Sequence, residues 1–316
     1  MGAALTLARR GLGRTAPNPP VGCVIIRDEC VVGRGWTQPA GRPHAEAMAL
    51  AQAGNLARGA TVYVTLEPCA HISERGPACT DLLVKSGVSR VVVATVDPDP
   101  RTNGAGIDRL RQAGITVMAG VRTADAESIM CGFLFRHREG RPAVTLKLAM
   151  SLDGKIALAN GSSRWITGDI ARAHAHLERS RCDLIVVGRK TYETDKPVLD
   201  VRLPGLEDRS PRRAILTSGP ATGRWETLET PAAIARLSNI NDILVEGGAG
   251  AAAAFLAADL VDRMLIYRAP IAIGAGLDAV GDIGLPDLNS AHHRWKLSDT
   301  RQLGSDRLDV YQRIRG

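Results

Sequence analysis

At 316 residues the chain exceeds a single typical core and suits two domains of roughly 150 residues each. Its 45% hydrophobic and 23% charged residues exclude disorder; no apolar run approaches the roughly 20 residues of a membrane span, and the N-terminus lacks the order of a secretory signal, so no membrane and a cytoplasmic location are expected. A net charge of +7 and a pI near 9.3 suit either a nucleic acid or a phosphorylated small molecule, and an aromatic content of 3% leaves few stacking platforms for single strands, which favours the small molecule.

In chain order, Ala3–Arg10 is a short helix candidate, and Val21–Arg27 with Val31–Trp36 reads as a hairpin turning at Asp28-Glu29. His44–Ala53 has helical content and stops at Gly54-Asn55. Thr61–Leu66 follows as a strand, Cys79–Ser86 as a helix ending at Gly87, and Arg90–Val96 as a further strand. Gly106–Ala113 (helix), Ile115–Ala119 (strand) and Ala124–Phe135 (helix) complete an alternation that predicts a sheet covered by helices. The charged stretch Arg136–Pro142 marks the boundary, giving domains 1–141 and 142–316. Beyond it the pattern restarts with the strand Val144–Met150, the helix Asp169–Arg181 and the strands Asp183–Val187, Arg213–Thr217 and Asp242–Val245. The helix Ala249–Ala258 and the strand Arg263–Tyr267 follow.

The six cysteines are too few and too scattered for a disulfide framework, so metal binding or burial is the expectation. His44-Ala45-Glu46, then Glu67-Pro68-Cys69, then Cys79 supply an imidazole, two thiols and a carboxylate in the order of a zinc deaminase. Zn²⁺ held by His44, Cys69 and Cys79 keeps its fourth position for water and brings that water's pKa toward neutrality, so that hydroxide can attack an amino-bearing ring carbon. Glu46 is placed to carry the proton to a ring nitrogen and then to the departing amine. His44 precedes a helix, and both cysteines are expected beside helix starts, where the dipole favours thiolate. The alternative is a closed structural site, for which His71 is the nearby fourth ligand.

Nine residues separate Cys69 from Cys79, where the general deaminase pattern has two. With that loop, the stretches Thr15–Cys23, Ala40–Glu46 and Tyr63–His71 resemble the bifunctional riboflavin-biosynthesis deaminase/reductase family. The resemblance continues through Leu146–Lys155 and Ser163–Thr167. It implies an α/β chain in which a cytidine-deaminase-like three-layer α/β/α domain is followed by a dihydrofolate-reductase-like α/β domain. It implies deamination of 2,5-diamino-6-(5-phosphoribosylamino)pyrimidin-4-one and then NADPH-dependent reduction of its ribosyl group to ribityl. Asn18 and His71 would contact that substrate and Arg75 its phosphate, while the residues alone also allow Asn18 to shape a turn and Arg75 to be a solvated charge.

Ile243–Gly250 reads as a strand entering a Gly-rich turn and a helix of small residues, where backbone N–H groups can approach phosphate. By resemblance, NADPH contacts fall at Ala149, Trp165, Thr191, Asp195, Ser218 and the turn Gly248, Ala249, Gly250, Ala251, Ala252, Ala253 and Ala254. Substrate contacts fall at Ser163, Arg179, Leu199, Arg202 and Glu246. Lys147 and Asp153 stay open between reactive roles and snorkelling or turn roles, and Glu246 between a substrate contact and a helix cap. Other readings are a zinc deaminase of another base or of RNA with a C-terminal binding domain, and a non-enzymatic nucleotide-binding module. A homo-oligomer is compatible with the sequence.

Overall fold

The first strands, β1 (Gly22–Arg27) and β2 (Cys30–Trp36), pair antiparallel through the two-residue turn Asp28-Glu29. Both turn residues have positive φ (49° and 62°), as in the turn whose twist matches paired strands. Strands β3 (Thr61–Val64), β4 (Arg90–Val93) and β5 (Thr116–Ala119) extend this sheet in the order β2-β1-β3-β4-β5, with β3, β4 and β5 parallel. Helix α1 (Gly2–Ala8) and helix α2 (Ala45–Ala53) cover opposite faces of the hairpin. The contact with α2 depends on Gly33 and Gly35: a Cβ there would stand 2.2 Å and 2.1 Å from the carbonyl oxygens of Ala49 and Ala45. With Ala45, Ala49 and Ala53 as its buried face, α2 therefore lies almost backbone to backbone on β2, which fixes the position of everything at its N-terminus. Helices α3 (Cys79–Ser86), α4 (Ala105–Gln112), α5 (Thr123–Ile129) and α6 (Cys131–Glu139) complete this unit.

The computed structural model describes residues 1–71, 75–219, 223 and 225–315, so Ile72, Ser73 and Glu74 of the loop between the cysteines lie outside the described residues. Its chain divides into Met1–Gly140 and Arg141–Gly316. The single helix expected over Ala124–Phe135 is two, broken at buried Met130 (φ −103°, ψ 19°), and the second runs through Arg136–Glu139, where a linker was expected, to Gly140 (φ 70°). Gly132, two residues past the break, weakens the helix locally, and burial of Met130 fixes where it divides. Arg141 goes with the second unit because its guanidinium forks onto buried Asp262 at 2.8 and 2.9 Å.

The second unit is built on β6 (Ala143–Met150), and β7 (Lys155–Leu158) leaves it to pair elsewhere. It continues with α7 (Asp169–Arg179), β8 (Leu184–Gly188), α8 (Arg189–Asp195), β9 (Arg212–Leu216) and β10 (Glu226–Leu228). Then come β11 (Asp242–Val245), α9 (Ala249–Ala257), β12 (Arg263–Arg268), β13 (Gly276–Asp278), β14 (Trp295–Leu303) and β15 (Asp306–Arg313). Eight of these strands form one sheet, β10-β9-β8-β11-β6-β12-β15-β14, parallel from β10 to β12 and antiparallel thereafter. The central strands are almost continuously apolar because both faces are covered: α9 packs with Leu146, Leu184 and Val245 on one side, and α7 with Leu265 and Tyr267 on the other. The final hairpin, β14–β15, alternates exposed and buried positions weakly and gives no clear signal in the sequence. Among the described residues no helix is long and apolar enough to cross a membrane.

Candidate functional site

His44 is the N-cap residue of α2, in extended backbone (φ −70°, ψ 161°), so its ring stands at the helix entrance while Glu46 falls in the first turn. Its Nδ1 is 3.3 Å from the Sγ of Cys79 and 3.7 Å from the Sγ of Cys69. The three ligand atoms lie within 4.8 Å of one another. One nitrogen and two sulfurs converging in this way fit an open zinc site. His71 is not part of the group; its Nδ1 faces Thr102 Oγ1 at 3.3 Å, so the closed site lacks its fourth ligand among the described residues.

The cysteines were each expected beside a helix start, but only one start is present. Cys79 opens α3, whereas Cys69 lies in the loop after β3 and belongs to no helix. The Cys69 sulfur nevertheless accepts the Cys79 backbone N–H at 3.3 Å, so both thiols share the positive end of α3. Hydrogen bonding from Cys79, opposed by burial and helped by His44, brings the Cys69 thiol down to about 4. The same contact, with burial, pushes Cys79 well above the ordinary thiol value. The pair thus retains one proton for a metal to displace. Burial raises the carboxyl of Glu46, 3% exposed, against the pull of His44, the direction that suits a group which must both take and return a proton.

His44, Glu46 and Cys69 face a cavity of about 290 Å³ whose wall also holds Asn18, His71 and Arg75. Asn18 reaches the metal ligand itself: its Nδ2 lies 3.1 Å from His44 Nε2 and 3.1 Å from the Gly41 carbonyl. The Arg75 guanidinium rests on the Ala40 carbonyl at 2.5 Å. Sequence reasoning missed the far wall, formed by Asp97, Asp99, Arg101, Phe133 and His137. Glu67 builds it. Buried, it accepts backbone N–H groups from Asp97 (3.2 Å), Gly104 (2.9 Å), Gly106 (2.9 Å) and Ile107 (3.1 Å), folding that loop back toward the zinc ligands. Burial pushes Asp97 up to about 7, with the charges of Asp99 and Glu67 adding to the effect, while Arg101 holds Asp99 down at about 2. The available signal was Asp97-Pro98-Asp99-Pro100, a polar turn directly after a strand.

In the second unit the expected NADPH contacts gather at the C-terminal ends of adjacent parallel strands, the usual crevice of such sheets. Ala149 is on β6, Ser218 follows β9, Thr191 lies on α8 just beyond β8, and the Gly248 turn follows β11. The Thr191 hydroxyl accepts the Gly248 N–H at 3.1 Å, tying two of these loops together. Gly248 caps α9, whose first-turn N–H groups at Ala249 and Gly250 are an anion-binding end, a donor set that fits a dinucleotide phosphate. The side chains of Ala251, Ala252 and Ala253 are buried and Ala254 lies further along the helix, so any contact they make is through the backbone of the helix start. Trp165 is 64% exposed, with the Arg172 guanidinium 4.7 Å over its ring, and the neighbouring Arg164 reaches the Asp195 carbonyl.

Among the expected substrate residues, Arg179 and Glu246 form a two-pronged pair, both bonds 2.7 Å, with Lys147 Nζ 3.9 Å from Glu246. Glu246 is therefore not a helix cap, the cap being Gly248. Burial alone would raise Glu246; Lys147 and then Arg179 outweigh it and bring the carboxyl down to about 2. Arg179 also donates to the Asp200 carbonyl at 3.0 Å, which places the loop carrying Leu199 and Arg202 beside the pair. The Leu199 side chain packs with Ile185, Val187 and Leu244, leaving its main chain for a ligand, while Arg202 is exposed. Ser163 is half-buried in the loop before α7. Asp153 is a turn residue, accepting from Ser151 Oγ and from the N–H groups of Ile273 and Gly274.

Comparison with known proteins matches residues 142–308 to the RibD C-terminal domain and residues 1–95 to the cytidine and deoxycytidylate deaminase zinc-binding region. The chain is 38% identical to the riboflavin biosynthesis protein RibD of Escherichia coli over 97% of its length and 96% of that protein's. It superposes on the crystal form 1 structure of Acinetobacter baumannii RibD with a TM-score of 0.89 at 37% identity, covering 99% and 98% of the two chains. It superposes on a Thermotoga maritima diaminohydroxyphosphoribosylaminopyrimidine deaminase/5-amino-6-(5-phosphoribosylamino)uracil reductase with a TM-score of 0.87 at 31% identity, covering 99% and 97%.

Proposed function

The chain belongs to the RibD family of riboflavin biosynthesis, and from that premise we propose how its residues divide two reactions. It is a zinc-dependent deaminase joined to an NADPH-dependent reductase. Residues 1–140 carry the hydrolytic step and 141–316 the reductive one, acting in turn on 2,5-diamino-6-(5-phosphoribosylamino)pyrimidin-4-one and its deaminated product. A cytoplasmic location suits a step of small-molecule biosynthesis.

Zinc, when bound by His44, Cys69 and Cys79, supplies the Lewis acidity that makes water nucleophilic at neutral pH. Glu46 takes one proton from the attacking water and delivers it to the adjacent ring nitrogen. It then takes the second proton from the hydroxyl newly bonded to the ring carbon and gives it to the amino group, which leaves as ammonia while the ring carbon becomes a carbonyl. Asn18 and His71 meet the ring edge, and Arg75 at the cavity mouth meets the phosphate. NADPH, when bound along Ala149, Thr191, Ser218 and the α9 N-terminus, supplies hydride for the ring-opened, imine-like ribosyl C1′. Arg179, Glu246 and Lys147 form a charged cluster that, with Arg202 and Ser163, orients the sugar phosphate.

The observation that carries this reading is the three-ligand cluster with Glu46 buried against it at a cavity. Glu46→Gln tests it: ammonia release falls by at least about 100-fold with zinc still bound. Unchanged turnover would remove Glu46 from the reaction. For the reductase, the purified chain oxidises NADPH when given the deaminated phosphoribosylamino-uracil, and no oxidation by the folded protein would refute that half.

A further inference from the structure

We propose that His176 is a positioning residue of the reductase, whose imidazole aims the Arg202 guanidinium at the sugar phosphate. The idea rests on the reading of Arg202 as a substrate contact, and deepens it. His176 stands in the last turn of α7, three residues before Arg179, and both side chains reach the loop that carries Leu199 and Arg202. Its Nδ1 lies 3.0 Å from the Asp200 carbonyl oxygen, and its Nε2 lies 3.4 Å from Nη2 of Arg202.

These contacts ask opposite things of the two ring nitrogens, and one tautomer of the neutral imidazole meets both. A carbonyl can only accept, so Nδ1 carries the proton. Nε2 is then a lone pair, to which a guanidinium, a donor only, can bond. The Arg202 backbone N–H, 3.3 Å from the same Nδ1, is exposed, so water can serve it in this arrangement. The surroundings keep the ring neutral: burial, with the charges of Arg179 and Arg202, pushes His176 below the ordinary histidine value against the pull of Asp200 and Glu246.

The main chain of the loop has other holds. Arg179 donates to the same Asp200 carbonyl at 3.0 Å, the Val201 N–H donates to Ser210 Oγ at 3.0 Å, and the side chains of Leu199 and Val201 are buried. Together they keep Leu199 in the left-handed region (φ 55°), which a residue with a branched side chain rarely occupies. What His176 alone adds is a partner for the Arg202 side chain. That guanidinium meets the Asp200 carboxylate through Nε at 3.4 Å and His176 through Nη2, so it is held along one edge and presents its remaining N–H groups to a ligand oxygen. Without the imidazole, a long and largely exposed side chain must be ordered by the substrate itself, which weakens binding.

The KM for the deaminated phosphoribosylamino-uracil, measured on the full chain by oxidation of saturating NADPH, tests this. Arg202→Ala raises that KM by about 10–100-fold, and His176→Ala raises it by about 3–10-fold with kcat and the KM for NADPH unchanged. In a chain already carrying Arg202→Ala, His176→Ala adds less than about twofold, because its effect passes through the guanidinium. His176→Gln, whose amide offers a donor and an acceptor, stays within about twofold of the parent chain. Thermal unfolding reports whether each variant is folded. A parent-like KM in His176→Ala beside a raised one in Arg202→Ala would overturn the proposal and leave Arg202 a substrate contact. A full effect of His176→Ala in the Arg202→Ala background, or a raised KM for NADPH, would overturn it too, because the ring would then act elsewhere. An unchanged KM in Arg202→Ala would take that side chain away from the substrate, and the proposal with it.

Discussion

Removing the carboxylate of Glu67 should unfold the far wall of the deaminase cavity without touching a zinc ligand. Its two oxygens accept four backbone N–H groups, from Asp97, Gly104, Gly106 and Ile107, at 2.9–3.2 Å. Three of those bonds are buried, and Glu67 itself is 2% exposed. Leaving a buried donor unmade costs roughly 1–3 kcal/mol, so Glu67→Ala, with some donors rescued by water, should lose about 4 kcal/mol or more. That is a large part of a typical stability of about 5–15 kcal/mol. Glu67→Gln keeps Oε1 for Gly106 and Ile107 but turns an NH₂ toward the N–H groups of Asp97 and Gly104, so it should lose about half as much. Urea unfolding of the two variants measures the loss, and ammonia release should fall while NADPH oxidation with supplied deaminated substrate persists. A loss under about 1 kcal/mol in Glu67→Ala would show that water satisfies the loop and that the carboxylate does not build the wall.

The Arg179–Glu246 pair predicts an acid limit for the second unit. A carboxyl held at about 2 instead of its ordinary 4.5 contributes stability that is complete above 4.5 and is lost as pH falls toward 2, about 3 kcal/mol in size. Urea unfolding between pH 2 and 6 should show that slope, and Glu246→Gln should flatten it; an unchanged slope would assign it to other groups. Chelation with 1,10-phenanthroline should stop ammonia release and spare NADPH oxidation, and parallel loss of both would mean that the metal sustains the fold instead. Gly248→Val, allowed by its backbone angles (φ −72°, ψ 178°) yet 3.3 Å from Thr191 Oγ1 at the first added carbon, should raise the KM for NADPH by about tenfold with deamination unaffected. An unchanged KM would move the cofactor away from α9.

The zinc ligands and their acid–base partner were legible in the chain because the chemistry permits few substitutes. An imidazole, a carboxylate two residues later and two thiols have distinct roles, and His44 and Cys79 fall at the starts of helices whose apolar content is visible locally. The α/β alternation was legible for the same reason, since strands such as Leu184–Gly188 are apolar throughout. What packing alone decided is of a different kind. The helical Arg136–Glu139 reads locally as a charged linker, and the cavity wall of Asp97, Phe133 and His137 comes from two segments far from His44 in sequence, of which Glu67 holds only the first. Likewise Arg179 and Glu246, 67 residues apart, are ordinary charges until α7 and β11 bring them within 2.7 Å. Residue type thus declares a metal ligand or a strand, because those demands are local. Which polar groups end up facing one another is settled only when the sheets and helices close, because buried charges and N–H groups must then find partners wherever the chain has placed them.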